Sequence, residues 1–266
     1  MTTIVALVKQ VPDTYSTRQL TDDDFTLDRA GADAVIDEIN QNTVEAALQL
    51  KEQLGDATVT VVSMGPERAT EAVRKALSMG ADDAILLTDD ALHGSDAVQT
   101  GWALHNVLET IEGGADIIVA GNASTDGATG AVPQIIGVYG QRPVVSNLRE
   151  IEVADGAIVG TREDEDGTYK LRAALPAIIT VNEKANSPRF PSFKGIQAAK
   201  KKTIVQLSLA DLAEQGMSAD QVGLANAATA VHSNTPKPPK EAGVQVKDEG
   251  DGGTQLVQYL REQKFI

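Results

Sequence analysis

Short apolar runs alternate with stretches of helical period through the first half of this chain, and that alternation constrains its fold more than any other feature. The runs TIVALVK (3–9), ATVTVVSM (57–64), DAILLT (83–88) and ADIIVAG (115–121) are nearly continuously apolar, as strands buried on both faces have to be. Between them, NTVEAALQLKEQL (42–54), ERATEAVRKALSMG (67–80) and SDAVQTGWALHNVLETI (95–111) repeat apolar residues every three or four positions, the mark of a helix with one buried face. Asn42 and Ser95 stand where N-caps belong, and Gly80 where a helix would stop. Right-handed βαβ crossovers then give a doubly wound, mostly parallel sheet covered on both sides. Trp102, Leu104, Val107, Leu108 and Ile111 share one face of the third helix, which makes Trp102 a core residue.

After Gln141 the pattern changes. PVVSNLREIEV (143–153), GAIVGTRE (156–163), GTYKLRAAL (167–175) and PAIITVN (176–182) alternate or run apolar around the turns ADG and EDG, and read as antiparallel strands added beside the parallel sheet. A Pro-punctuated loop, NSPRFPSFKG (186–195), leads into IQAAKKKTIVQLS (196–208). From about 234 the chain is Pro- and Gly-rich, and it closes on the amphipathic segment TQLVQYLREQKFI (254–266). The expected division is an α/β domain over 1–208, with a linker and arm over 209–266. Such an arm packs on another subunit or folds back on its own domain.

With 42% hydrophobic residues among 266, the chain is apolar enough to bury a substantial core. It carries 23 basic and 38 acidic residues, a net charge of −15, which excludes nucleic acid and anionic lipid as partners because phosphate binding needs a basic face. The surplus sits in TDDDF, REDEDG and KDEGDGG, solvated turns of a surface that is either halophile-like or merely soluble. There is no cysteine, hence no disulfide, thiolate nucleophile or cysteine-ligated cluster in this chain. His93, His105 and His232 are not spaced as metal ligands and read as structural or exposed. The first apolar run is too short to span a bilayer and has no basic leader before it. A cytoplasmic protein with no direct membrane insertion is expected.

The segment VAGNASTDGATGAVPQ (119–134) follows the fourth apolar run. In a doubly wound sheet, ligands bind beyond the carboxyl ends of the strands. Thr129 and Gly130, read as the start of a helix, would turn backbone N–H groups towards an anion, while Gly127 and Gly130 permit close backbone approach. The same residues would serve an ordinary Asp/Thr cap in a Gly-rich turn. Neither a Walker A sequence nor GxGxxG is present, and no Ser/His/Asp arrangement that would support hydrolysis can be drawn.

VKQVPDT (8–14), TVEAALQLKE (43–52), VVSMGPERATEAVRKALSMGADDAILL (61–87) and, most specifically, LPAIITVNEKANSPRFPSFKGIQAAKKKTI (175–204) resemble the β subunit of electron-transfer flavoprotein, the FixA family. The resemblance runs from residue 3 to about 206 and implies an α/β fold akin to adenine-nucleotide-binding domains. It further implies a heterodimer with an α subunit, one electron-transferring FAD held largely by that partner, and AMP or a second FAD in the β subunit's own site. Carried over by position, Leu7, Val8, Lys9, Ser63, Met64, Gly121, Asn122, Asp126, Gly127, Ala128, Thr129, Gly130, Ala131 and Val132 fall on that site. Many members have Arg-Gln in place of Asn122-Ala123, Gln in place of Ala131 and Gly in place of Pro133, so side-chain donors are fewer here. The loop from 182 to 200 matches the family's recognition loop, with Phe193 at the anchor position beside Lys194, Ile196 and Lys200. An aromatic there is a docking knob or is tucked into the domain. Lys200, Lys201 and Lys202 are a solvated helix end or steer acidic partners.

The resemblance implies an electron carrier with no bond-making residues, serving flavin dehydrogenases such as acyl-CoA dehydrogenases and a quinone oxidoreductase or ferredoxin-type acceptor. The competing class is an adenine-nucleotide sensor of the universal-stress type, which shares the sheet but lacks the added strands and arm. A nucleotide-dependent ligase or kinase would need a basic phosphate clamp that the sequence does not offer.

Overall fold

A computed structural model describes residues 1–266 except 236, 240–242, 244 and 246, so part of the expected linker lies outside the described residues. Met1–His232 form one compact unit and Ser233–Ile266 a second.

The first unit begins with strand β1 (Thr2–Leu7) and a small antiparallel pair, β2 (Gln10–Pro12) and β3 (Ala34–Ile36), joined by a long loop. Helix α1 (Glu38–Leu54) leads to β4 (Ala57–Met64), α2 (Thr70–Met79) to β5 (Asp83–Leu87), and α3 (Ala97–Glu109) to β6 (Ile117–Gly121). Then come α4 (Val132–Tyr139), β7 (Val144–Ala154), β8 (Ala157–Asp164), β9 (Gly167–Ala174), β10 (Ala177–Val181), α5 (Phe193–Lys201) and β11 (Val205–Leu207). The central sheet has the order β11-β5-β4-β1-β6-β10-β7-β8-β9. All neighbours are parallel up to β7, and β8 and β9 continue antiparallel.

Both faces are covered. Val44, Leu48, Val73 and Leu77 of α1 and α2 pack on Ile4, Val59 and Val61, while Val107 and Leu108 of α3 and Ile136 of α4 pack on Val5, Val62 and Ile118. Alternating positions of one strand thus feed opposite layers, which is why the strands read as unbroken apolar runs. Winding goes outward from β1 through β4 to β5 and then returns to β6 on the other side of β1. The crevice between β1 and β6 is therefore the switch point of the sheet.

Three sequence expectations are corrected. PAIITVN is not an added antiparallel strand: β10 lies in the parallel sheet between β6 and β7, and all five of its residues are buried. An apolar run without alternation demands that central place. Asn42 does not cap α1, which starts at Glu38 after Asp37; Asn42 is buried within the helix. Ser95 does not cap α3 either. Asp96 does, accepting from the N–H groups of Val98 and Gln99 while Gln99 reaches back to the N–H of Asp96.

The first unit reaches past the boundary expected after residue 208, because Leu209, Leu212, Met217 and Val222 are buried in the α3-side core. Trp102 packs on that core from a half-buried position, its indole N–H donating to Gln221 at 3.0 Å. In the second unit, helix α6 (Gly252–Glu262) falls on the expected amphipathic segment, with Leu256, Val257 and Tyr259 exposed.

Candidate functional site

The crevice between β1 and β6 gathers most of the expected nucleotide-site residues. Leu7 and Val8 are buried at the carboxyl end of β1 and present backbone only. Lys9 follows them, its N–H donating to Asn40 Oδ1 at 2.7 Å and its carbonyl accepting from the Asp37 N–H at 3.0 Å. These bonds pin the start of α1 to the end of β1. Gly121 is what lets α1 come so close: a Cβ there would lie 2.8 Å from a methyl of Ile39. Ser63 and Met64 end the neighbouring β4, with Ser63 fully buried and Met64 half-buried.

Asp126 is the electrostatic centre of the loop. Its side chain is 2% exposed and takes Lys9 Nζ at 2.7 Å and Arg29 Nη2 at 3.1 Å. Burial alone would raise its carboxyl, but the two cations and the Ser124 hydroxyl outweigh that and hold it at about 2. Lys9 moves the other way from its usual partner effect: burial lowers its ammonium more than Asp126 restores it. The carboxylate gains from the pair and the ammonium loses, so the cluster stabilises less than Asp126 alone would indicate. Asp37, buried at the start of α1, is raised chiefly by burial, although its Oδ2 accepts the Thr125 N–H at 2.8 Å.

The loop beyond Asp126 corrects a further expectation. Thr129 and Gly130 do not begin a helix; α4 starts at Val132, with Pro133 in its first turn. Gly127 has ordinary backbone, and the positive φ values belong to Ala128 (51°) and Gly130 (61°). Ala131 returns to φ −99° and ψ −21°. Such a change of hand makes consecutive N–H groups converge, which is how backbone forms an anion nest. Among the described residues, the N–H groups of Thr129, Gly130, Ala131 and Val132 have no acceptor within the chain. Asn122 turns its side chain to its own loop, accepting from the Ala123 N–H at 2.8 Å.

The buried Asp37 Oδ1, Ser63 Oγ and Thr125 Oγ1 likewise lack a hydrogen-bond partner. Convergent N–H groups beside unpaired buried oxygens fit a ligand with both a phosphate and a hydroxyl- or amine-bearing ring. Four contributors escaped the sequence reading: Arg29, Asp37, Asn40 and Arg18, whose guanidinium donates to the Thr125 carbonyl at 2.5 Å. Asp37 carried a signal, as an N-cap residue type five positions before Asn42. The two arginines carried none, since they lie in a loop without periodicity.

The recognition-loop residues form a second locus. Phe193 is the first residue of α5 rather than a loop tip, yet it is 79% exposed; Phe190, at the tip, is 94% exposed. Phe193, Ile196 and Lys200 recur at helical spacing on one exposed stripe, with Lys194 beside it. Of the three lysines, Lys202 is turned inward, its ammonium donating to the Ala81 and Asp82 carbonyls, while Lys200 and Lys201 stay exposed. His93 pairs with Asp24 at 2.7 Å. Among the described residues no cluster of potential metal ligands occurs, and no helix is long and apolar enough to cross a membrane.

Comparison with known proteins shows the family to which the chain belongs. The family described as electron transfer flavoprotein domain matches residues 24–212. The chain is 58% identical over its whole length and the whole of theirs to electron transfer flavoprotein subunit beta of Mycobacterium tuberculosis and of Mycobacterium leprae. It is 35% identical to the subunit of the same name from Megasphaera elsdenii, over 97% of this chain and 96% of that one. The caffeyl-CoA reductase-Etf complex subunit CarD of Acetobacterium woodii is 31% identical over 99% of both. The sensor of universal-stress type is thereby set aside: the chain belongs to the electron transfer flavoprotein family, among its beta subunits.

Proposed function

We propose that this chain pairs with an electron-transfer flavoprotein α subunit in the cytoplasm and helps to hold one FAD, most of whose contacts come from that partner. Its own crevice between β1 and β6 binds AMP or, in a bifurcating complex, a second FAD. FAD, when bound, supplies the one- and two-electron chemistry. The chain's residues bind and orient: Thr129 to Val132 receive phosphate oxygens on backbone N–H groups, and the α1 end at Asp37 faces the ring side. Lys9 and Arg29, sharing Asp126, keep the loop closed beneath the phosphate.

The observation that carries this reading is the run of four unpartnered N–H groups at the switch point of the sheet. Backbone binding needs none of the side-chain donors that the resemblance would place at 122, 123 and 131. The exposed stripe of Phe193, Lys194, Ile196 and Lys200 docks flavin dehydrogenases such as acyl-CoA dehydrogenases, and electrons leave to a quinone oxidoreductase or ferredoxin-type acceptor. The exposed apolar residues of α6 favour an arm within the second unit, Ser233–Ile266, that packs on the α subunit.

Denaturing the purified heterodimer and quantifying released adenine nucleotide is the test. Gly130 has φ 61°, and a Cβ there would lie 3.2 Å from the Asn122 carbonyl, so Gly130→Val distorts the nest. Release near one nucleotide per β subunit from the wild type, and well under half of that from a folded variant, is expected. Equal release from both would remove this loop from the site.

A further inference from the structure

Helix α1 holds the recognition loop by contacts that the docking reading does not use. Arg189 Nε and Nη2 reach the two carboxylate oxygens of Glu45 at 2.7 and 2.9 Å, and Nη1 reaches Glu52 at 2.7 Å. The Arg189 N–H adds a bond to Glu45 at 3.1 Å. One turn earlier, Asn42 and Asn186 exchange bonds, each side-chain amide donating to the other's backbone carbonyl at 2.9 and 3.0 Å. The loop needs these tethers: among the described residues, no backbone group of 186–191 takes part in a backbone-to-backbone hydrogen bond.

Exposed ion pairs usually contribute little. This one differs in that Glu45 is 5% exposed against 36% for Arg189, and the fork is bidentate. Burial raises the Glu45 carboxyl, and the Arg189 bonds more than reverse it, leaving it below the usual range. The clasp ends one residue before Phe190, and the Ser192 cap, which accepts the Gly195 N–H at 3.0 Å, ends one residue before Phe193. Both exposed aromatics therefore project from fixed backbone.

We propose that Glu45 and Arg189, seconded by Asn42 and Asn186, are positioning residues that set the recognition loop in its docking conformation before a dehydrogenase arrives. This rests on the docking reading above and adds its cause. A loop without such ties would have to be ordered on encounter, and that loss of freedom weakens association.

The experiment measures reduction of the heterodimer by an acyl-CoA dehydrogenase charged with its substrate, as a function of heterodimer concentration. Variants are Arg189→Ala, Arg189→Lys, Asn186→Ala and Phe193→Ala. Arg189→Ala should raise KM about tenfold with kcat within about twofold, as expected for lost pre-organisation rather than lost contacts. Arg189→Lys keeps the charge but not the fork, so its KM should fall between. Asn186→Ala should raise KM in the same direction. Nucleotide content and reduction by dithionite should stay near wild type in all three. The unfolding midpoint should stay near wild type in Arg189→Lys and Asn186→Ala, whereas Arg189→Ala strands the buried Glu45 carboxylate and should melt earlier.

A wild-type KM in Arg189→Ala, with a raised KM in Phe193→Ala, overturns the clasp and leaves docking intact. A wild-type KM in both overturns docking itself. A KM rise accompanied by nucleotide loss or early unfolding in both Arg189→Lys and Asn186→Ala also overturns the clasp, because damage to α1 then explains it.

Discussion

Asp126 shows how a single residue is decided by partners distant in sequence. Its neighbours in the chain, Thr125 and Gly127, mark a turn, and a turn aspartate is usually solvated; Lys9 and Arg29 turn it into a buried counter-ion. Because its folded pKa lies at about 2, below the ordinary 3.8, it adds stability above the ordinary value that is lost as pH falls through the folded one. The amount is about 2 kcal/mol. Lys9's lowered ammonium acts at alkaline pH and leaves that window unchanged, whereas Asp37, raised in the fold, gains stability as pH falls and partly opposes the loss. Asp126→Asn should cost about 2–3 kcal/mol at neutral pH, since two cations lose their shared partner. Urea unfolding between pH 5 and 2 should show the wild-type and variant curves converging towards the acid end; curves that stay parallel would remove Asp126 as their cause. Asp126 itself was legible in the sequence as a site-loop residue. Lys9 was placed at the same site by resemblance but not as its counter-ion, and Arg29 was not placed at all, because nothing local to positions 9 or 29 announces a contact with the loop after β6.

At the scale of the element, the helices were legible by period and their beginnings were not. The apolar repeat of α1 becomes regular at Val44, so Asn42 looked like the cap, yet the first turn is spent on the site through Asp37 and Asn40. In α3 the cap shifts by one residue from Ser95 to Asp96, which has a second duty. Its Oδ2 accepts the N–H groups of Ala228 and Thr229 at 2.8 and 3.2 Å. A lost cap costs about 1 kcal/mol, and the second duty brings Asp96→Ala to about 1–2 kcal/mol. In thermal unfolding that is a fall of about 2–4 °C per kcal/mol for a chain of this size. Asp96→Asn keeps an acceptor for the helix and should fall less. Were the alanine variant to melt with the wild type, the cap would contribute nothing. The strand error has the opposite lesson: β10 carried its parallel, central position in an unbroken apolar run, and only its company among alternating strands concealed it.

The molecule as a whole carries −15, much of it on exposed turns such as Glu165 and Asp166 between β8 and β9, next to Asp164 at the end of β8. Like charges repel more in the folded than in the unfolded state, and salt screens them, the Debye length shrinking from about 10 Å at 0.1 M to about 2 Å near 2 M. The thermal midpoint should therefore rise between about 0.1 M and about 2 M KCl, a salt chosen over sulfate because sulfate also strengthens apolar burial. An unchanged midpoint would make the charge a matter of solubility alone. The doubly wound half was legible because crossover connections repeat one pattern. The long loop between β2 and β3, which supplies Arg18 and Arg29, was not, because loops obey no period.

The place of β10 in the sheet also governs the order in which the chain becomes whole. Its neighbours, β6 on the β1 side and β7 on the β8 side, are made earlier, yet the two halves of the sheet that they end are joined only through it. Until residues 177–181 have left the ribosome, β6 ends an incomplete sheet with an open edge, and β7 to β9 form a meander without a base. The last central strand is thus a keystone, and a nascent chain halted before it presents two bare sheet edges where the finished one presents a continuous surface.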